Sequence, residues 1–396
     1  MLGGGLLPLS YSIKNLWSRP VRTAMTVTVV ALVVVASSLF LGLITSLKRT
    51  LVSTGHPLNL VVMRKGSDND GASALSQAAY QAIRFYDGIA RNAADQPLVS
   101  PELVVQPFFW TIEGGRENVL VRGVEPIALE VHDQVQIIAG RMFQPSAAEA
   151  IVGKSLIGRY QGAELGSELR FGRGGWKVVG VFSAEGSSFE SEVWVDVREL
   201  ANDAKRPLPY SAIRLRANTE ADLWALKARI EADPRYALQA ERETEYYAKQ
   251  SESANSLYVL VVAIALFSGI GAGFGAANTM YAAVQNRIAE IGTLRALGFS
   301  RTSILLAFQL EALFLAVSGF AVGAVGAVVL ADSLGRWLRG IGFGAATFTT
   351  NVVQLRISAG DLIVSLCLTL AIGLIAGLGP AMRAARLPPI EALRRG

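Results

Sequence analysis

Four long apolar stretches, unevenly spaced along 396 residues, restrict this chain more than any other feature. Residues 24–47, 256–285 and 362–382 contain no charged side chain, and 304–331 contain only Glu311. About 20 consecutive apolar residues cross the hydrocarbon core of a bilayer as a helix. Lipid offers the backbone no hydrogen-bond partner, so even the β-branched segment 27–35 is expected to be helical there. The pattern predicts a membrane protein with four transmembrane α-helices. The first stretch is too long for the apolar core of a signal peptide and is followed by Lys48 and Arg49, so it is expected to stay as an anchor.

Orientation follows from basic residues in the short flanks. Lys14, Arg19 and Arg22 precede the first span, Arg287, Arg295 and Arg301 separate the second from the third, and Arg383, Arg386, Arg394 and Arg395 follow the fourth. All three groups are assigned to the cytoplasm. Arg336, Arg339 and Arg356 lie between the third and fourth spans and run against this rule, but four helices return the C-terminus to the side of the N-terminus. The expected order is a cytoplasmic amphipathic helix entering the membrane (1–23), transmembrane helix 1 (24–47), an extracytoplasmic domain (48–255) and transmembrane helix 2 (256–285). A cytoplasmic coupling helix (286–302), transmembrane helix 3 (303–331), an extracytoplasmic loop (332–360), transmembrane helix 4 (361–382) and a cytoplasmic tail (383–396) complete it.

The extracytoplasmic segment reads as α+β. Helical spacing is expected over 74–94, with Leu75, Ala79, Ile83 and Ile89 inward, and over 220–232, with Leu223, Leu226 and Ile230 inward. Strand-like runs occur at 58–63, 102–106, 118–124, 150–152, 167–171, 176–182, 192–195 and 212–215. The net charge of +5 does not imply a nucleic-acid partner, because membrane flanks already account for the basic clusters. The one cysteine, Cys367, cannot form an internal disulfide, and His56 and His132 cannot alone supply a four-ligand zinc site.

Two nucleotide-like patterns fail physical checks. Gly153-Lys154-Ser155 resembles the end of a phosphate loop, but Ala148 stands where the required glycine should be. Gly271-Ala272-Gly273 lies in an apolar stretch, where small residues let membrane helices approach. No catalytic, cofactor-binding or metal site is expected in the chain. Glu311, about two turns into the third span, is costly in hydrocarbon by about 2.5 to 3.5 kcal/mol and should contact a neighbouring helix or the arginine-rich rim. Between the second and third spans, Ile288, Ile291 and Leu294 recur at helical spacing, Gly298 suits a helix end and Ser300 can cap the next helix.

These residues carry a resemblance. Arg287 with 290–298 (Glu290, Ile291, Gly292, Thr293, Leu294, Arg295, Ala296, Leu297, Gly298), followed by Gln309, Glu311, Ala312 and Gly319, resembles the membrane core of FtsX-like ABC permeases. That family includes MacB and LolC/LolE and has the type VII ABC fold. The segments 13–23 and 380–394 resemble the same family's two ends, and 59–62, 151–156 and 176–182 resemble the MacB-like periplasmic core domain.

The resemblance implies a permease subunit in the bacterial cytoplasmic (inner) membrane. MacB carries a fused ATPase, whereas this sequence starts near its first membrane helix, so a separate ABC ATPase subunit dimer binding ATP and Mg is implied. A second permease copy or homologue, membrane lipid, and a periplasmic adaptor with an outer-membrane channel are further implied partners. The apolar stripe through Ile291 is then expected to seat in an ATPase cleft, with Arg287, Glu290, Leu294, Arg295 and Leu297 forming the rest of the coupling helix. The implied output is mechanotransmission: export or extraction of a lipid, lipoprotein, peptide or hydrophobic drug. FtsX-like activation of cell-wall hydrolases is the alternative.

Overall fold

Charged residues inside strands govern how the larger unit of the chain is built. The structure is a computed structural model, described over residues 20–337, 341–344, 350–353, 355–386 and 388. The expected helix at 1–23 therefore lies almost wholly outside the described residues, as does most of the tail at 383–396. In chain order the first elements are α1 (Pro20–Val52), β1 (Asn59–Arg64), α2 (Gln77–Ile83), β2 (Val99–Val105), β3 (Phe108–Trp110), β4 (Arg116–Asn118) and β5 (Leu120–Val124). Next come α3 (Ala128–Val131), β6 (Gln136–Gly140), β7 (Glu149–Gly153), β8 (Glu168–Phe171), β9 (Gly174–Ser183), β10 (Glu192–Asp196), α4 (Val197–Asp203) and β11 (Ala212–Arg216). The last are α5 (Glu220–Ala232), β12 (Leu238–Arg242), α6 (Glu243–Gln285), α7 (Ile288–Ala296), α8 (Arg301–Trp337), β13 (Ile341–Gly344), β14 (Thr350–Val353) and α9 (Ala359–Arg386).

The chain divides into two compact units. One, within 46–256 and 334–354, is an α+β domain built on a ten-stranded sheet of order β12-β1-β11-β2-β5-β10-β7-β9-β6, with β8 also paired to β9. Only β5–β10 and β7–β9 are parallel. Central strands are covered on both faces and therefore read as unbroken apolar runs. In β1, Leu60 and Val62 enter the main core while Val61 and Met63 pack with Ala212, Tyr246 and Tyr247 on the other face. In β10, Val193 and Val195 face that main core and Trp194 faces Phe182 and Phe189. Helix α5 starts where the Thr219 hydroxyl accepts the N–H of Asp222, and it buries Leu223, Leu226 and Ile230 as their spacing requires.

The expected helix over 74–94 is shorter. Helix α2 covers only Gln77–Ile83, capped by Ser76; Gly88 adopts φ +91° and the chain beyond it forms bridges from Ile89 to Ala217, just after β11, and from Arg91 to Pro97. Leu75, Ala79, Ile83 and Ile89 are nonetheless all buried. Strands β3, β6, β12, β13 and β14 have no counterpart in the sequence reading.

Side chains that alternation would place toward solvent meet instead in a buried charge cluster. Arg122 on β5 binds Glu192 through two hydrogen bonds of 2.7 and 2.6 Å, and reaches Glu102 at 2.9 Å. Arg214 on β11 donates to Glu102, to Asp70 at 3.0 Å and to Glu243 at 3.2 Å. His132 Nε2 lies 2.8 Å from Glu102. All of these side chains are buried.

The other unit comprises the described residues within 20–45, 257–333 and 355–388 and is a helical bundle. Among the described residues, three segments are long and apolar enough to cross a membrane: Thr23–Thr50, Arg301–Arg336 and Ala359–Arg386. The stretch 256–285 lies inside α6, a continuous helix of 43 residues. Helix α9 begins with a reciprocal cap: Ser358 Oγ accepts the N–H of Asp361, whose carboxylate accepts the N–H of Ser358 at 2.8 Å. The same carboxylate accepts the Thr45 hydroxyl of α1 at 2.8 Å.

The cluster makes the α+β domain acid-sensitive. Burial opposes ionisation of Glu102, but Arg214, His132 and Arg122 outweigh it and hold this carboxyl well below its ordinary value of 4.5. Asp70 is lowered in the same way, with burial overcome by Arg214 and Arg122. Both groups take up protons more readily unfolded than folded, so their contribution is complete above the ordinary carboxyl range and is lost as pH falls through it. Tryptophan-monitored unfolding in detergent should give a constant midpoint from about pH 7 to about pH 5.5 and a falling one below about pH 4.5. A midpoint flat to about pH 3 would contradict this role of the cluster.

Candidate functional site: helix α7 and its seat

Of the residues singled out from sequence, Arg287, Glu290, Ile291, Leu294, Arg295, Leu297 and Glu311 lie where α6 ends, α7 forms and α8 begins, whereas Gly319 lies further along α8. Helix α7 runs from Ile288 to Ala296 and closes with a Schellman motif: Gly298, at φ +94°, donates to the Arg295 carbonyl at 3.2 Å, and Phe299 donates to that of Leu294 at 3.2 Å. Arg295 fastens this turn by donating to the Phe299 carbonyl at 3.0 Å. Ser300 then accepts the N–H of Ser303 and caps α8. Both punctuation residues thus behave as their types suggest.

The faces of α7 are distributed differently from the expectation. Ile291 is not available to a partner; it is 2% exposed and packs with Met280 and Val284 of α6, Ile304, Phe308 and Ala312 of α8, and Ala381 and Ala384 of α9. Helical spacing identifies a stripe but not what covers it, and here the chain covers its own. The exposed side consists of Ala289, Glu290, Thr293, Ala296 and Leu297, which recur every three or four residues on one face. Leu297 is 72% exposed, while Ile288, Leu294 and Arg295 are half-buried at the edges.

Arg287 stands at the N-cap of α7 and is itself buried. Its Nη1 donates to Glu311 Oε2 on α8 at 3.3 Å, and its Nε lies 3.9 Å from the exposed carboxylate of Glu290. The isolated carboxylate of the third apolar stretch therefore has a cationic neighbour from the preceding connection. Burying such a pair is costly, but removing one member leaves a charge in an apolar setting, typically about 3 to 5 kcal/mol worse.

Gly319 serves packing. A Cβ there would lie 2.5 Å from Val30 Cγ1 of α1, and one at Gly323 would lie 2.7 Å from the Ala31 carbonyl oxygen. Gly373 and Gly377 of α9 make similar approaches to Ala316 and Ala312 of α8, at 2.8 and 2.7 Å. Close backbone contact of this kind replaces the hydrophobic drive that lipid does not provide.

Residues 23–233 match the MacB-like periplasmic core domain, and residues 262–389 match the FtsX-like permease C-terminal domain. The chain belongs to the MacB/FtsX-like ABC permease family. The macrolide export ATP-binding/permease protein MacB of Bradyrhizobium diazoefficiens is 27% identical over 305 residues, covering 70% of this permease and 43% of that protein. MacB of Bdellovibrio bacteriovorus is 25% identical over 403 residues, covering 92% and 57%. The permease thus spans about half the length of these curated relatives. Among solved structures, the periplasmic region of MacB from Actinobacillus actinomycetemcomitans aligns with TM-score 0.37 and 11% identity, over 49% of this permease and 92% of that chain.

Ile291→Asp and Leu297→Asp separate the two faces of α7. The first puts a carboxylate into the permease's own core and should lower the thermal unfolding midpoint of the detergent-solubilised protein by several degrees or cause aggregation. The second changes an exposed position and should shift it by no more than about 1 °C. The opposite ranking would show that α7 presents Ile291 outward.

Proposed function

We propose that the chain is the permease subunit of an ABC exporter in the bacterial inner membrane, coupling a separate ATPase subunit to movement of its α+β domain. The observation that carries this is the two-sidedness of α7. Its inner face is built into the bundle through Ile291 and the Arg287–Glu311 pair, while Glu290, Thr293, Ala296 and Leu297 remain outside. A partner that moves this outer face must move the ends of α6, α8 and α9 with it, because close-packed side chains transmit displacement rather than absorb it.

In this reading ATP and Mg bind to a pair of ATPase subunits, two permease copies or homologues associate, and α7 sits on the cytoplasmic side. The chain crosses the membrane four times, with 256–285 of α6 as the span additional to the three apolar helices described above. Both termini are cytoplasmic and the α+β domain is extracytoplasmic. Substrates of the class that suits mechanotransmission are lipids, lipoproteins, peptides or hydrophobic drugs, passed onward from the outer face. A periplasmic adaptor and an outer-membrane channel would extend the route.

Topology gives the first test. In a variant with Cys367 replaced by Ser, a cysteine at exposed Asp95 should react with a membrane-impermeant maleimide in intact spheroplasts, and one at exposed Thr293 should react only after permeabilisation. Labelling of both, or of Thr293 alone, would refute four spans in this orientation.

Energy supply gives the second. The tagged permease isolated from native membranes should bring down an ABC ATPase, and Leu297→Asp with Glu290→Lys should reduce that recovery at least about tenfold, as expected for loss of a central contact of about 1.4 kcal/mol or more. Undiminished recovery would remove α7 from the interface.

A further inference from the structure

The buried charge cluster contains one member that the packing of the sheet does not require. Strand β12 ends at Arg242 and α6 begins at Glu243, so no linker residue separates them. Glu243 is wholly buried. Its Oε1 accepts Arg214 Nε of β11 at 3.2 Å, and its Oε2 accepts Asn59 Nδ2 of β1 at 2.9 Å. Oε2 also accepts the backbone N–H of His56 at 3.0 Å, in the connection that follows α1. One carboxylate therefore joins the start of α6, two strands and the chain leaving α1.

Neighbouring contacts tighten the same junction. The Tyr246 hydroxyl accepts the N–H of Asp70 at 3.1 Å, and that of Tyr247 accepts Arg214 Nη2 at 3.4 Å. Gly55 approaches so closely that a Cβ there would lie 2.8 Å from the carbonyl carbon and oxygen of Glu243 and from the nitrogen of Thr244. A carboxylate at the first helical residue also lies at the positive end of the helix dipole. Asn59 is held in turn, donating to the Val131 carbonyl at 3.0 Å and accepting Arg216 Nε at 3.0 Å.

We propose that Glu243 is a positioning residue that locks the first turns of α6 and the segment after α1 onto the sheet, so that displacement of either helix reaches the sheet without being absorbed by a hinge. The inference rests on the permease reading above. Arg214 does not need Glu243 to remain paired, because it keeps Asp70 and Glu102. Glu243→Gln should therefore spare the sheet. An amide presents N–H groups toward either the Arg214 guanidinium or the Asn59 and His56 donors, so one of these sets loses its acceptor.

The test uses hydrogen exchange on the full chain in complex with the ATPase recovered from native membranes. In Glu243→Gln, amides 247–250 should exchange about tenfold or more faster than in the unaltered permease, while β1 and β11 keep their protection. Glu220→Gln, which removes only the exposed partner of Arg242, should change neither. Adding ATP with vanadate should alter exchange in 59–64 and 212–216 of the unaltered permease, and this nucleotide-linked change should vanish in Glu243→Gln while ATP turnover continues.

The outcomes separate cleanly. Unchanged exchange at 247–250, equal loosening of β1 and β11, or a nucleotide-linked change that survives in Glu243→Gln each overturns the anchor. Absence of the nucleotide-linked change in the unaltered permease overturns the permease reading instead. If Glu243→Gln does not fold, Gly55→Ala, which forces the two segments apart, is judged by the same criteria.

Discussion

Two arginines without access to water, Arg122 and Arg214, are the constraint around which the α+β domain is arranged. A guanidinium cannot lose its charge in a protein, so each must be met by carboxylates of suitable geometry. Glu102 on β2 lies between them and serves both, and Asp70, Glu192 and Glu243 complete their surroundings. Because these groups come from β2, β5, β10, β11, the turn at Asp70 and the start of α6, the cluster fixes which strands are neighbours. Replacing such a network by apolar side chains need not cost stability, but leaving one of its buried charges without any partner does. Its contribution here is to register and alignment: a sheet slipped by one residue would bury guanidinium groups without partners.

The helical bundle obeys a different rule. Apolar surface gains little by leaving lipid for protein, so helices associate through close backbone approach and a few polar contacts. Gly319 and Gly323 bring α8 against α1, and Gly373 and Gly377 bring α9 against α8. Hydroxyl contacts such as Ser37 to Ser365 at 3.2 Å and Thr26 to Thr279 at 3.4 Å add direction without charge. At one end of the bundle this economy changes, since Ile291 and its neighbours form a conventional apolar cluster beside the Arg287–Glu311 pair. A short helix held by both kinds of contact is packed on its inner side and exposed on its outer side.

The resemblance to the MacB/FtsX-like permeases was legible in the sequence because it rests on short runs of residues, and the helix-ending and helix-capping signals within or beside them are local. Gly298 and Ser300 act locally, and their geometry depends on few other residues. The helix α5, with its Thr219 cap and buried Leu223, Leu226 and Ile230, was legible for the same reason. The region 74–94 was not, because its apolar spacing fits a helix as well as it fits a short helix, a glycine turn and two bridges. Gly88 takes a positive φ there and the chain beyond it bridges to Ala217 and Pro97, contacts that periodicity does not register.

Sequence alone determined the apolar stretches, the α+β character of the intervening segment, the family and the location of the short helix α7. Each of these depends on composition or spacing within a few turns of chain. Tertiary structure decided that Ile291 faces inward, that Arg287 is the partner of Glu311, and that Arg122 and Arg214 are buried rather than solvated. A charged residue in a strand, or an apolar one on a short helix, has two possible sides, and which side is covered depends on elements far away in sequence. Arg214 and Glu102 stand 112 residues apart, and nothing local to either announces that they share a hydrogen bond.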